Sequence, residues 1–297
     1  MKLFSTSALL SAALVKAGQV AINSDSAEGK LATTSIIEAS CADDTTGMCQ
    51  QLLETLKAIE DPLNPRNLDG SQDANPSVMA ARRLKQLKVL ILWLQPEYRF
   101  ARYCFYGCWC LPDAEHKLNS AGYGKPVDDI DASCKRQSQC YDCAQMDNDN
   151  VVCDASTTNY KYELIFDEAD PTNHMKKSIK CLDERRSGER GNSKSGCKRS
   201  ICECDKKLSE DLREYFEQWD AKKHAIQGGF DWQGECERVN CTGPNCGHEL
   251  ACCGNLGYGI RMPYRVEGRR QCCGDATYDS TFYECCEEGN VQAIGNC

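Results

Sequence analysis

Three things are scarce in this chain of 297 residues. The first is positive charge. Lys and Arg number 35 against 44 Asp and Glu, a formal net charge of −9. On average nothing is available to neutralise a phosphate backbone, which argues against nucleic acid as a partner. The second is a long apolar run. Beyond the N-terminus no segment has the roughly 20 uninterrupted apolar residues that a bilayer-spanning helix needs, so no transmembrane segment is expected. The third is aliphatic side chains after Asp231, where ten cysteines fall in 67 residues among many glycines. That stretch cannot bury a conventional core, and covalent bridges must hold it. The chain as a whole, at 41% hydrophobic residues, is still too apolar for wholesale disorder. At roughly 100–200 residues per domain, its length fits two domains or one with appendages.

Cysteine is what the sequence has in excess. A total of 23 argues against the cytosol, where thiols are kept reduced, and for a chain stapled by disulfides. The odd count leaves one thiol free or paired between molecules. The start of the chain agrees with this. Met1 and Lys2 precede an apolar run from Leu3 to Val15, and small residues lead to Ala17. This is the layout of a secretory signal peptide, placed at residues 1–17, and it predicts a secreted, extracellular protein. Asn240-Cys241-Thr242 is a glycosylation sequon.

Punctuation along the chain divides the rest. Residues 18–76 read as a flexible lead-in, with a short helix where Cys49, Leu52, Leu53 and Leu56 recur at helical spacing. A stronger helix is predicted from Ser77 to Leu94. Met79, Leu84, Leu87, Leu90, Ile91 and Leu94 line one face, with Arg82, Arg83, Lys85 and Lys88 near the other, the pattern of an amphipathic core helix. Two more helices are predicted near Asp131–Met146 and Ser200–Lys223, with a strand-like piece at Tyr160–Phe166 between them. Glu184–Arg199 is basic and rich in Gly and Ser, and reads as a solvated loop. Residues 77–230 form the main domain, and 231–297 form a cysteine-rich tail. The tail carries the pairs Cys252-Cys253, Cys272-Cys273 and Cys285-Cys286. The first two pairs each continue as Gly, three residues, then Tyr (Tyr258 and Tyr278), a repeat.

A family signature lies in the middle segment. Tyr106-Gly107-Cys108-Trp109-Cys110 is followed by Gly122-Tyr123-Gly124-Lys125-Pro126-Val127-Asp128-Asp129-Ile130-Asp131, then Cys134, Cys140-Tyr141 and, much later, Cys202-Glu203-Cys204-Asp205. In order and spacing this resembles the secreted phospholipase A2 family. The resemblance implies a mainly α, disulfide-rich fold with a small β-wing. It also implies a calcium ion held by loop carbonyls and one aspartate, a histidine that activates water, and a second aspartate that orients the histidine.

The resemblance breaks at the positions that do the chemistry. In the family the helix motif runs Cys-Cys-x-x-His-Asp-x-Cys-Tyr. Anchored on Cys140-Tyr141, it puts Gln137 at the base position and Ser138 at the calcium-binding aspartate. A glutamine amide has no basic pKa near neutrality and cannot take a proton from water. A serine hydroxyl brings no charge to a cation that wants six to eight oxygens with carboxylates among them. The calcium loop (Trp109, Asn119, Ala121) is interrupted by an eight-residue insert, Leu111–Leu118, and two family glycines become Asn119 and Ala121. None of the four histidines (His116, His174, His224, His248) stands beside the motif. Asp205 matches the orienting aspartate, and Tyr141 and Tyr160 match its tyrosine partners. Without the histidine, these three read as a buried polar network that fixes the helices.

The resemblance further implies the bridges Cys110–Cys134, Cys140–Cys204, Cys153–Cys197 and Cys181–Cys202, with Cys108 reaching Cys236 or Cys241. Both halves of one family bridge are missing, at Ser133 and Asp211. Cys104 and Cys143 lie outside the pattern, free to pair with each other or with Cys41 or Cys49. Zinc on Cys202-x-Cys204 or on the vicinal pairs is the alternative use of these cysteines. The tail, through Gln271-Cys272-Cys273-Gly274, Tyr278-Asp279 and Tyr283-Glu284-Cys285-Cys286, is similar to galaxin-type di-cysteine repeats of extracellular matrices. Vicinal cysteines bond each other only with strain, so each is expected to tie its hairpin to a neighbour.

The expectation is a secreted phospholipase A2-like pseudoenzyme without a cofactor, a structural or binding module of an extracellular matrix. Its partners would be matrix proteins, other copies of itself through disulfides, or phospholipid. The alternative is a calcium-dependent phospholipase A2 cutting the sn-2 ester of glycerophospholipids, with calcium as cofactor and a base such as His116 recruited from the insert.

Overall fold

The computed structural model describes residues 19–26, 29, 30, 32, 35, 36, 76–97, 99–110, 122–147, 153–183, 194–236, 250–254, 260–266, 268–287 and 289–297. The expected signal peptide, the expected helix around Cys49, the insert Leu111–Leu118 and the Asn240 sequon lie outside them. The fold is mainly helical with a small sheet, followed by disulfide-rich β elements, the class the sequence predicts. Three long helices, α1 (Pro76–Leu94), α2 (Asp129–Asp147) and α3 (Lys194–Glu214), build the core, with α3 packed against both others. The second and third differ from the predicted spans at their ends, and the start of α3 takes up part of the expected basic loop.

The polar face predicted for α1 is a correction. Leu87, Val89, Leu90, Ile91, Leu92 and Leu94 are all fully buried, and so is Arg83, with Lys85 and Lys88 close behind. A helix buried on every side lies in the middle of a core, not on its rim. Pro96 ends it, because a proline disfavours helical geometry in the residue before it. Helix α2 starts where the Asp128 carboxylate accepts the N–H of Asp131 at 2.9 Å, an N-terminal cap.

The wing holds a second correction. The lead-in is not flexible throughout, since β1 (Gln19–Asn23) pairs antiparallel with β2 (Tyr162–Asp167), which pairs with β3 (Ser178–Cys181). Val20 and Ile22 lie opposite Phe166 and Leu164. Five residues with two apolar side chains make a weak signal until a partner strand supplies the other half of the ladder.

The tail is three two-stranded hairpins: β4 (Leu250–Cys253) with β5 (Met262–Arg265), β6 (Arg270–Cys273) with β7 (Ala276–Asp279), and β8 (Tyr283–Cys285) with β9 (Val291–Ala293). Cys253–Cys272 and Cys273–Cys285 link each hairpin to the next, and Cys286–Cys297 closes the end. The only buried hydrophobic residues described in these hairpins are Cys253 and Cys273. The bridges therefore replace a core. Gly274 turns the second hairpin with a φ of +56°, and a Cβ there would meet the Gly289 carbonyl oxygen at 2.8 Å.

The unassigned cysteines resolve in an unforeseen way. Cys143 bonds to Cys252, fastening the first tail hairpin to α2, and an ion pair between Arg261 and Asp147 (3.0 Å) lies beside that bridge. Neither Cys104 nor Cys143 takes the expected pairings. Cys104 is the free thiol among the described residues. Burial, opposed by nearby Lys88, pushes this thiol up to about 12. So raised, the half-buried thiol is mostly protonated at pH 8, which slows its reaction as a nucleophile. Iodoacetamide at pH 8 is expected to alkylate Cys104 more slowly in the folded protein than after denaturation, as mapped by peptide mass. Native labelling at Cys104 as fast as in the denatured protein contradicts this packing.

Candidate functional site

Four elements converge on one carboxylate. Helix α3 supplies Asp205, fully buried; α2 supplies Gln137 and Tyr141; α1 supplies Arg83; and the residue leading into β2 is Tyr160. Asp205 Oδ1 accepts from the Tyr141 hydroxyl and from Gln137 Nε2 at 3.0 Å. Its Oδ2 accepts from the Tyr160 hydroxyl and faces Arg83 Nη1 at 2.6 Å. An ionised carboxyl has about four acceptor sites; here three are filled by hydrogen-bond donors and the Arg83 guanidinium supplies the counter-charge. Tyr141 is equally committed. Its oxygen accepts from Arg83 Nη2 (2.7 Å) and Gln137 Nε2 (2.8 Å) while it donates to Asp205. Gln86 holds the backbone of Tyr160 through both halves of its amide, at 2.7 and 3.3 Å.

The electrostatics follow from burial. Removal from water works against the Arg83 cation, but the Asp205 carboxylate, with the Tyr141 and Tyr160 oxygens, outweighs it, so the guanidinium stays charged. Its carbon lies 5.0 Å from the Tyr160 ring centre and 5.6 Å from that of Tyr141. Burial also lifts the Tyr141 hydroxyl well above its ordinary range, despite Arg83 beside it. Tyr160 is raised as well, through burial and the Asp205 charge. Neither tyrosine hydroxyl is therefore a base poised near neutrality. Gln137 spends its amide N–H groups on Tyr141 and Asp205, and it has no proton acceptor of useful basicity to offer water.

The loop beside α2 is similarly occupied. The Asp131 carboxylate, fully buried, accepts the backbone N–H groups of Cys108 (2.9 Å), Trp109 (2.7 Å) and Val127 (3.0 Å). Burial raises its pKa in spite of those three donors. Gly107 must lack a side chain here, because a Cβ would stand 2.4 Å from the Asp131 carboxyl carbon. The Gly124 carbonyl accepts from Trp109 Nε1 (3.1 Å) and Lys135 Nζ (3.3 Å), and the same ammonium lies 4.9 Å from the Trp109 ring centre. Asn119 and Ala121 fall outside the described residues. Ser138, half-buried on α2, brings a neutral hydroxyl. Among the described residues no three His, Cys, Asp or Glu side chains are grouped to hold a metal ion. This donor set does not fit calcium: one carboxylate is used up by amides, and a lysine already sits on a loop carbonyl.

Nor does a histidine take over as base among the described residues. His224 caps the turn that follows it, and His174 opens a short 3₁₀ turn before β3. His116 and His248 lie outside the described residues.

No family model matches the chain. Among individual proteins, phospholipase A2 homolog otoconin-22 of Xenopus laevis is 30% identical over 122 residues, which cover 41% of this chain and 72% of that protein. The chain belongs to the phospholipase A2 family. It is also 30% identical over 124 residues to the acidic phospholipase A2 beta-bungarotoxin A4 chain of Bungarus multicinctus, covering 64% of it. Phospholipase A2 AP-PLA2-I of Acanthaster planci is 33% identical over 101 residues, 54% of its length.

The bridges implied by the family likeness can now be placed. The structure joins Cys110 to Cys134, Cys140 to Cys204, Cys153 to Cys197, Cys181 to Cys202 and Cys108 to Cys236. Where the two missing family cysteines would pair, a polar link stands instead. Arg136 donates to Ser133 Oγ (2.8 Å) and to Asp211 Oδ2 (3.0 Å), and Lys207 holds the other Asp211 oxygen at 2.6 Å.

Reading the sequence missed Arg83, Lys135 and Arg136 as members of this phospholipase A2-like site. One signal for Arg83 was present: it opens a run of leucines that leaves little surface for a charge. Calcium supplies the test. A site with a Kd near 10 μM, saturated a hundredfold at 1 mM, stabilises by about 2.7 kcal/mol, which is several degrees in a protein of this size. The melting temperature is expected to stay the same in millimolar calcium and in chelator. A calcium-dependent rise of that size contradicts the assignment.

Proposed function

We propose that this protein is a non-catalytic phospholipase A2-like module of an extracellular matrix. The observation that carries the reading is the saturated Asp205. Its three hydrogen-bond donors include Gln137 at the position of the general base, Arg83 is its counter-charge, and no histidine among the described residues contacts it. Nine disulfides among the described residues support export to an oxidising compartment, in line with the signal peptide read at residues 1–17. Among the described residues no helix is long and apolar enough to cross a membrane. The linked hairpins of 231–297, with their likeness to galaxin-type repeats, support a bracing or connecting role beside the domain at 77–230. Matrix proteins or phospholipid are the partners of that reading. The free Cys104 thiol is the described group through which a second copy could be bridged.

One relative, in Xenopus laevis, is itself named a phospholipase A2 homolog. Others, from Bungarus multicinctus and Acanthaster planci, are named phospholipases A2, and they favour the competing reading of a calcium-dependent sn-2 hydrolase. Fatty-acid release from phosphatidylcholine and phosphatidylglycerol vesicles decides between them. The expected result is release no faster than from vesicles alone, with millimolar calcium or with chelator. Calcium-dependent release that the chelator abolishes rejects the non-catalytic reading.

A further inference from the structure

One titratable group lies outside the Asp205 network and is wired into a different contact. His224 is 2% exposed and sits where residues 215–236 cross over the loop that begins the family signature. Its Nδ1 accepts two backbone N–H groups, from Ile226 (3.1 Å) and Gln227 (3.2 Å), and caps the helical turn Ala225–Gly228. Its Nε2 faces the Ala101 carbonyl at 3.3 Å. Together these contacts fix the tautomer, because Nδ1 must be bare to accept and Nε2 must carry the proton to donate. The crossing is sewn down on both sides of this residue. Gly107 N–H donates to the Lys223 carbonyl (2.8 Å), and Ala225 N–H donates to the Phe105 carbonyl (3.0 Å).

We propose that His224 is an acid-opened latch: protonation of Nδ1 releases residues 224–230 from the 101–107 loop and loosens Phe230 in the aromatic cluster it joins. A proton on Nδ1 would point at two amide hydrogens inside a buried cap, losing two hydrogen bonds and adding repulsion. The charged and titratable groups around it offer no relief. From the 100–103 turn, Arg102 is a cation stacked on Phe216 and Trp219. From the loop, the Tyr106 hydroxyl is bonded to Asp128, and the half-buried Cys104 thiol has its pKa raised. On the crossing segment, Lys223 pairs with Asp128 at 2.9 Å, and Asp220 caps Lys222. Among the described residues no carboxylate hydrogen-bonds the imidazole. Burial lowers the His224 pKa, against a smaller upward pull from the Ala101 carbonyl.

Phe230, the last residue of the latch segment, packs into a cluster with the Cys108–Cys236 bridge, Trp109, Tyr123, Val127 and Trp232. That bridge tethers the far end of the segment, so acid lifts its middle without freeing it. The sign follows from linkage. A histidine whose folded pKa is depressed contributes closure that is fully present above the ordinary value of about 6.5 and is lost as pH falls through the folded value. This inference stands on the His224 contacts alone and is independent of the proposed function.

Amide hydrogen exchange by NMR, corrected for intrinsic rates, reads the latch at Ala225, Ile226 and Gln227 from pH 7.5 to 4.5. The opening equilibrium is expected to rise by up to about tenfold per pH unit below 6.5. In His224→Asn, whose side chain caps without titrating, protection should not change with pH; His224→Ser serves if the Asn variant does not fold. The imidazole 15N shifts of the unaltered protein give a variant-free check, since Nδ1 must gain its proton at the pH where protection falls. Protection that persists to pH 4.5, a parallel fall in the non-titrating variants, or imidazole protonation without loss of protection overturns the proposal.

Discussion

The guanidinium of Arg83 lies fully buried in the middle of the domain, and the rest of the site is arranged around its charge. Asp205 supplies the counter-charge at 2.6 Å, and two tyrosines and a glutamine fill the remaining positions around that carboxylate. A buried ion pair of this kind adds little over an apolar core of the same shape. Removing one partner is different, because it strands a charge at a cost of about 3–5 kcal/mol. The pair therefore locks α1, α2, α3 and the start of β2 into one register, because each contributes a member. In the phospholipase A2 family the matching aspartate is expected to orient a histidine. In this chain the carboxylate is shared between an arginine and an amide, and the helices gain a fastener where hydrolysis would need a base.

The same replacement of function by fastening recurs nearby. At the described ends of the loop that would cradle calcium, Asp131 holds three amides and Lys135 holds the Gly124 carbonyl. A lost disulfide is replaced by Arg136 between Ser133 and Asp211. In the tail, where aliphatic side chains are too few for a core, the second cysteine of one pair bonds to the first of the next. Cys143–Cys252 then fastens the assembly to α2.

Much of this was legible in the sequence because it depends on local spacing. The run from Tyr106 to Asp131 and the pair Cys140-Tyr141 located the loop and α2, and with them the substitutions at Gln137 and Ser138. Vicinal cysteines predicted hairpins tied to their neighbours, because bonding within a pair is strained. What could not be read depends on partners far along the chain. Arg83 looked like one of several basic residues on an outer face, and its counter-charge lies 122 positions later, at Asp205. The β1 strand needed β2, and Cys143 needed a cysteine 109 residues away. Helical periodicity says which side of a helix is apolar, but it cannot say that the opposite side will be covered as well.

A double-mutant cycle between Arg83 and Asp205, with Arg83→Met and Asp205→Asn measured by urea denaturation, tests the central claim most directly. Each single change should destabilise by about 3–5 kcal/mol, since each leaves a buried charge unpaired. The double variant should lose clearly less than the two losses added together, because no charge is then stranded. Losses that simply add, or a single change that costs almost nothing, would mean that the domain does not depend on this pair.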